Sequence, residues 1–270
     1  MKLNNIIVGK YYHKDSFIHT LDPRTKFLSL LVILPTIAII NNFFFLAGVT
    51  FIIFFALISA KIQLKYFFRQ LIPFLWIIVI TYIIHLLFTD GRFLFQIPAV
   101  NITITYEGAY NGFFYSLRIL LLLSYSSLFM LTTAPVDITD GAELLFKPLK
   151  KIHIPVDTLA LMVSIALRFI PTIFEETERI RKAQIARGAE IEKGILKRIK
   201  SLSSLIIPVF VSVYRRADDL AVAMKARGYP PRKKKTYYRN LRLTIPDIGV
   251  IAFICLFNGT FLFLDLYIYG

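Results

Sequence analysis

Two copies of Ala-x-x-Ala-Arg-Gly stand forty residues apart in a basic stretch, Ala183 to Gly188 and Ala223 to Gly228. Their lead-ins align as well, Glu178 with Asp218 and Ile180 with Leu220. At helical spacing, positions 180, 183 and 187 share one stripe, as do 220, 223 and 227. Each arginine, Arg187 or Arg227, therefore ends an apolar stripe beside small residues, Ala186 and Ala226 among them. The glycine that follows, Gly188 or Gly228, suits a left-handed helix stop, and Pro230-Pro231 bars continuation after the second copy. One such copy reads as an ordinary helix end, a cation on the dipole and a glycine cap. Two copies with a shared lead-in read as a repeated use. A guanidinium at an exposed helix tip can enter a groove on another protein and bond a carboxylate in bidentate fashion, or bond backbone carbonyls.

Other chemistry is sparse. No G-x-x-x-x-G-K-[ST] occurs, so the chain lacks the loop that cradles nucleotide phosphates and is not expected to hydrolyse ATP. No nucleophile–base constellation is visible. Asp218-Asp219 are expected to pair with Arg215 and Arg216, and "EETER" (175–179) to form a solvated face with local pairs. The single cysteine, Cys255, cannot form an internal disulfide, and four scattered histidines have no metal-ligand spacing. His85, alone in an apolar run, reads as a hydrogen-bonded helix residue. The expectation is a non-catalytic chain that binds no metal or cofactor.

The elements that carry these residues follow from composition. The 270 residues are 56% hydrophobic, above the roughly 45–50% of soluble domains. The excess lies in long apolar runs. A span needs about 20 mostly apolar residues, and five stretches approach this: 26–41, 43–60, 71–88, 106–133 and 246–268. Stretches 156–174 and 202–214 are interrupted or short and read as amphipathic cytoplasmic helices; a seven-span layout, with both crossing the membrane, is the alternative. The start has no continuous apolar run before a small-residue cleavage site, so it is not read as a cleaved signal peptide.

Charge orients the spans. The net charge is +15, and all 32 Lys and Arg except Arg92 and Arg118 lie in residues 1–26, 61–70 and 135–245. Cations mark cytoplasmic links. The expected layout is therefore all-α and polytopic. Residues 1–134 form a membrane part with a cytoplasmic N-terminal segment and four transmembrane helices. Residues 135–245 form a cytoplasmic domain of long amphipathic helices, and 246–270 a closing transmembrane helix whose C-terminus lies outside. The "PRKKK" run (231–235) fixes orientation and meets anionic lipid. Without a stacking platform or recognition helix, no nucleic-acid partner is expected.

Two features inside the spans leave alternatives open. Gly108, Gly112 and Ser116 form a small-residue stripe that lets helices approach closely, either within this chain or against another membrane protein. Arg118 lies inside the fourth span, where charge is costly; it could pair with Glu107, snorkel, or serve a structural role.

The paired Ala-Arg-Gly triplets, the opening "LDPRTKF" (21–27) and the order of spans, basic helices and closing span together resemble the transmembrane T component of energy-coupling factor (ECF) vitamin and metal transporters. The resemblance covers nearly the whole chain; "RRADDLAVAMKARGYP" (215–230) fits closely. It implies a coupling subunit in the cell membrane, working with two ATPase subunits that use ATP and magnesium, and with a separate substrate-binding membrane subunit, the S component. It implies that Arg187 and Arg227 dock into acidic grooves on the ATPases. The coupling helices would then pass motion to the S component through apolar faces such as Leu159, Met162, Ile165 and Ile207. The competing reading is a self-sufficient permease or channel, which wants polar groups on several spans; only Arg118 and a few Ser, Thr and Asn are available. A membrane enzyme would want clustered Asp, His or Glu, and none is found.

Overall fold

The stretch Leu21-Asp22-Pro23-Arg24 starts the first long helix for local reasons. Proline presets helical φ in the first turn, and the Asp22 carboxylate accepts from the Arg24 N–H at 2.9 Å. A computed structural model of the chain describes residues 14, 16–97, 102–187, 195–229 and 243–269, with backbone alone at 94–97, 102–103, 195–204 and 268–269. Contacts divide the chain into two units, 1–146 with 241–270, and 147–240.

In the first unit, α1 (Phe17–Thr20) precedes α2 (Pro23–Ile39) and α3 (Phe43–Ser59), and α4 (Leu64–Leu71) runs through a 3-10 turn into α5 (Leu75–Phe88). Then come β1 (Phe93–Ile97), β2 (Ile102–Thr105), α6 (Tyr106–Thr132), α7 (Pro135–Leu145) and, after the second unit, α10 (Ile245–Tyr269). The architecture is that of an all-α polytopic membrane protein. Among the described residues, four helices are long and apolar enough to cross a bilayer: Leu64–Phe88, Tyr106–Thr132, Val156–Ala186 and Ile245–Tyr267. The third expected span thus extends back to Leu64. Helices α2 and α3 have 17 residues each, about 25 Å at 1.5 Å per residue, at the lower limit for a span.

One departure from an all-helical chain is a small antiparallel hairpin in the expected link 89–105, pairing Phe93 with Thr105 and Ile97 with Ile102, with a bulge after Phe93. Its strands are short runs of aromatic and β-branched residues, "FLFQI" and "ITIT", which suit a pleated ribbon better than a helix.

The core forms where α2, α3 and α6 meet. Ile33, Ile37, Ile40, Phe45, Leu46 and Val49 are fully buried there. Helix α10 joins through Phe257 and Phe261, whose rings lie 5.6 and 5.4 Å from Phe45. One carboxylate ties the unit together at its polar end. Asp247, 1% exposed, accepts from the Thr244 N–H at 2.8 Å and the Thr244 hydroxyl at 2.5 Å, making the carboxylate arm of a capping box at the start of α10. Its other oxygen accepts from the Asp22 N–H at 2.8 Å. A single anion thus sits on the positive ends of two helix dipoles. Beside it, the Lys26 ammonium donates to the Thr132 carbonyl at 3.1 Å, closing the end of α6. Helix α7 lies against the same place. A Cβ on Gly141 would stand 3.1 Å from Pro23 Cβ, so α7 groups with the first unit, although the sequence reading begins the cytoplasmic segment at 135.

The second unit consists of a 3-10 turn (Lys147–Ile152), α8 (Val156–Ala186) and α9 (Ile195–Ala226), two helices that pack on each other. Each continues through an interior proline, Pro171 or Pro208. At 1.5 Å per residue each is roughly 45 Å long. Helix α8 meets the length and composition of a span, yet its last third carries Glu175, Glu176, Glu178, Arg179, Arg181 and Lys182. This is why the sequence reading places it outside the bilayer.

Candidate functional site

The second triplet forms a complete helix stop. Helix α9 ends at Ala226, and the Arg227 N–H still donates to Ala223 O at 3.1 Å. The Gly228 N–H returns to Lys225 O and the Tyr229 N–H to Met224 O, both at 2.9 Å. This bond pair is a Schellman motif, with glycine in the left-handed position; Gly228 has φ +70°. No neighbour would touch an added Cβ there, so the backbone conformation alone demands glycine. The first triplet ends α8 in the same way as far as it is described: Ala186 is the last helical residue, and the Arg187 N–H donates to Ala183 O and Gln184 O at 3.1 Å. Gly188 lies outside the described residues.

Ala186, Arg187, Ala226, Arg227 and Gly228 are all exposed. Among the described residues neither guanidinium makes an ion pair. Each therefore carries a full charge and five N–H donors at a helix end with small neighbours.

The ion pairs of this unit sit further back along the helices. Arg181 makes a two-pronged contact with Glu178 at 2.7 and 3.0 Å, and Arg179 approaches Glu176 at 4.0 Å, the local pairs expected of "EETER". Arg216 reaches across to Glu176 on α8 at 3.2 Å. This corrects the expected pairing of Arg216 with Asp218-Asp219, because the facing helix offers an acceptor at the level of Arg216. Thr177 of α8 lines one cleft with Val209 and Val213 of α9, and Ile180 lines another with Ser212.

Beyond that contact the apolar faces are uncovered. Leu159, Met162 and Ile207 are each more than half exposed, and Ile165 is half-buried. Ile206, Phe210 and Tyr214 extend the exposed strip along α9. A water-soluble unit rarely leaves so much contiguous apolar surface open, so this surface marks a partner or the membrane.

The two open questions inside the spans are answered by the first unit. The small-residue stripe packs α6 on α5: a Cβ on Gly108 would lie 2.9 Å from the His85 carbonyl, one on Gly112 3.1 Å from that of Tyr82, and the Ser116 hydroxyl donates to Ile78 O at 3.2 Å. His85 stacks on Tyr115 along the same seam, with centroids 4.7 Å apart. Arg118 has a structural role. It donates to the Ile40 carbonyl at 2.7 Å and the Asn41 side chain at 2.9 Å, closing the α2–α3 corner, with the Phe114 ring 4.8 Å away. Glu107 is occupied elsewhere, accepting from the Arg92 N–H at 2.6 Å. The sequence reading missed the Asp22–Asp247 tie; its only local trace is Thr-x-x-Asp at 244–247, the capping-box pattern.

Comparison with known proteins agrees with this architecture. A family model described as cobalt transport protein, CbiQ, matches residues 14–238. The energy-coupling factor transporter transmembrane protein EcfT of Thermosediminibacter oceani is 42% identical over 248 residues, 92% of this chain and 93% of the relative. The protein of the same name from Bacillus subtilis is 40% identical over 265 residues, 97% and 99% of the two chains. That of Heliobacterium modesticaldum is 42% identical over 271 residues, 95% and 98%. Matched over residues 14–238 by the family model and across almost its full length by these relatives, the chain belongs to the CbiQ family and is a transmembrane T component of energy-coupling factor transporters.

Proposed function

We propose that this chain is the coupling subunit of an ECF-type importer, and that Arg187 and Arg227 are the points at which two ATPase subunits hold it. The observation that carries the reading is the repeated helix end: an exposed guanidinium beside alanines, without an ion pair among the described residues, and stopped by a left-handed glycine in the second copy. The exposed faces around Leu159, Met162, Ile165 and Ile207 meet the S component. Each ATPase offers acidic residues in a groove, and ATP with magnesium is bound and hydrolysed there, not on this chain. Two tips on two packed helices convert closure of an ATPase pair into movement of the apolar faces. The basic segments put residues 1–26 and 135–245 on the ATPase side, with the C-terminus outside. A self-sufficient permease finds less support, since Arg118 is engaged at the α2–α3 corner.

Co-purification tests this. Wild type with its ATPase pair should be retained from detergent, and Arg187→Glu with Arg227→Glu should lose both ATPases or their transport-linked activity. Breaking a buried arginine–carboxylate pair costs about 2–5 kcal/mol, at least an order of magnitude in affinity per tip. Full retention and full coupled activity in the double variant would overturn the assignment.

A further inference from the structure

We propose that the first unit holds one acyl chain of a glycerophospholipid in a cavity of about 480 Å³ enclosed by α1, α2, α3, α6 and α10. Its mouth is apolar and faces outward. Phe51, Phe55 and Phe253 line the cavity and are each more than half exposed. On helices that cross a bilayer, the medium at such a mouth is lipid.

The cavity has a polar end and a depth. At the polar end stand Lys26, Thr25 and Ser29, all buried, beside the end of α3 at Ser59 and the end of α6 at Thr132. The wall then runs back along α3 to Phe51 and along α6 to Tyr125. These are seven or eight residues from the helix ends, about 11 Å at 1.5 Å per residue, against about 15 Å for one leaflet's hydrocarbon. A chain entering from the headgroup level beside Lys26 would therefore run along the wall and end within the same leaflet.

The polar groups decide how it is held. Ser29 donates to the Lys26 carbonyl at 2.6 Å and meets the Tyr125 hydroxyl, so those hydroxyls are satisfied internally. The Lys26 ammonium has three donors, and among the described residues the carbonyls of His19 and Thr132 take two, at 3.3 and 3.1 Å. The third serves an ester or phosphate oxygen. Asp137, Asp247 and Asp22 supply opposing charge to the ammonium, so a zwitterionic headgroup suffices. The remaining wall is apolar, where water finds no partners and an empty void forfeits dispersion contacts along its lining.

The test uses the full chain in vesicles of phosphatidylethanolamine and phosphatidylglycerol, with a phosphatidylethanolamine bearing a diazirine near the end of one acyl chain. Illumination should give saturable cross-links at Phe55, Ala56, Leu128 and Val250, reduced by unlabelled phospholipid. Ala56→Phe fills the cavity and should abolish these cross-links, while Phe54→Ala, on the outer face of α3, should leave them unchanged. Lys26→Met should raise the half-saturating probe several-fold; an unchanged value would remove Lys26 from the site. Thermal unfolding of each variant verifies that it is folded. Labelling that never saturates, with Phe44 and Phe54 marked as strongly as Ala56 and no response to Ala56→Phe, would overturn the proposal. The readout needs no ATPase, so its outcome is independent of the docking tips.

Discussion

Asp247→Asn separates the chemistry of this carboxylate from its shape. Asparagine keeps the volume and one oxygen but places an NH2 where the second oxygen was. Asp247 now accepts at both oxygens, from the Asp22 N–H on one side and from Thr244 on the other. The amide can serve one side alone, and on the other a donor faces a donor. If its oxygen stays with Thr244, the Asp22 N–H is stranded in a site where Asp22 is 6% exposed. A stranded buried donor costs about 1–3 kcal/mol, and exchanging charged for neutral bonds on the other side removes about 1 more. If the amide turns over, Thr244 loses its acceptor; that residue is exposed and water replaces the bond at little cost. The amide oxygen would then face Asp22, so the loss falls toward the lower figure. The expected destabilisation is about 2–4 kcal/mol, with Asp247→Ala at the upper end. Unfolding of the purified chain in detergent, followed by circular dichroism or thermal shift, measures it. An Asn variant within about 0.5 kcal/mol of wild type, the range of an unremarkable surface change, would refute the idea that one anion ties the starts of α2 and α10.

Three further outcomes follow from the geometry. Gly228→Ala forces a Cβ onto φ +70°, costing about 1–2 kcal/mol locally; faster proteolysis after Lys225 and weaker ATPase capture should result, without a change in unfolding of the first unit. Gly112→Leu pushes α5 from α6 at the Tyr82 carbonyl and should destabilise the chain by about 1–3 kcal/mol in the same detergent assay. Arg118→Met strands the Ile40 carbonyl and should cost about 2 kcal/mol, with Arg118→Lys recovering part of the loss because one ammonium can replace one of the two bonds.

The features legible in the residues are those whose physics is local. Apolar length marks Tyr106–Thr132 and Ile245–Tyr267 as helices able to cross a bilayer within a residue or two of the expected 106–133 and 246–268, because lipid leaves a spanning backbone few alternatives to helix. Helix stops are local too: Arg227-Gly228 forms the left-handed end its residue types suggest. Repetition made the two tips visible as a pair, since only the lead-in, not the cap, distinguishes them from any other helix end.

What required the tertiary structure is every interaction whose partner is a backbone atom or a residue far along the chain. Arg118 left an ion pair, snorkelling and a structural role open, and its main partner is the carbonyl of Ile40, an acceptor every residue carries and no sequence pattern announces. Gly108 and Gly112 showed that something approaches closely; that it is α5 depends on where Tyr82 and His85 lie in space. Arg216 had two acidic neighbours in sequence and chose Glu176, forty residues away, because α8 packs against it. The Asp22–Asp247 bond spans 225 positions. Hydropathy and charge thus determined which segments are helices and which ends are cationic. Only packing decided which polar groups meet, because a hydrogen bond is made by proximity in three dimensions and leaves its record in the chain only when both partners are neighbours.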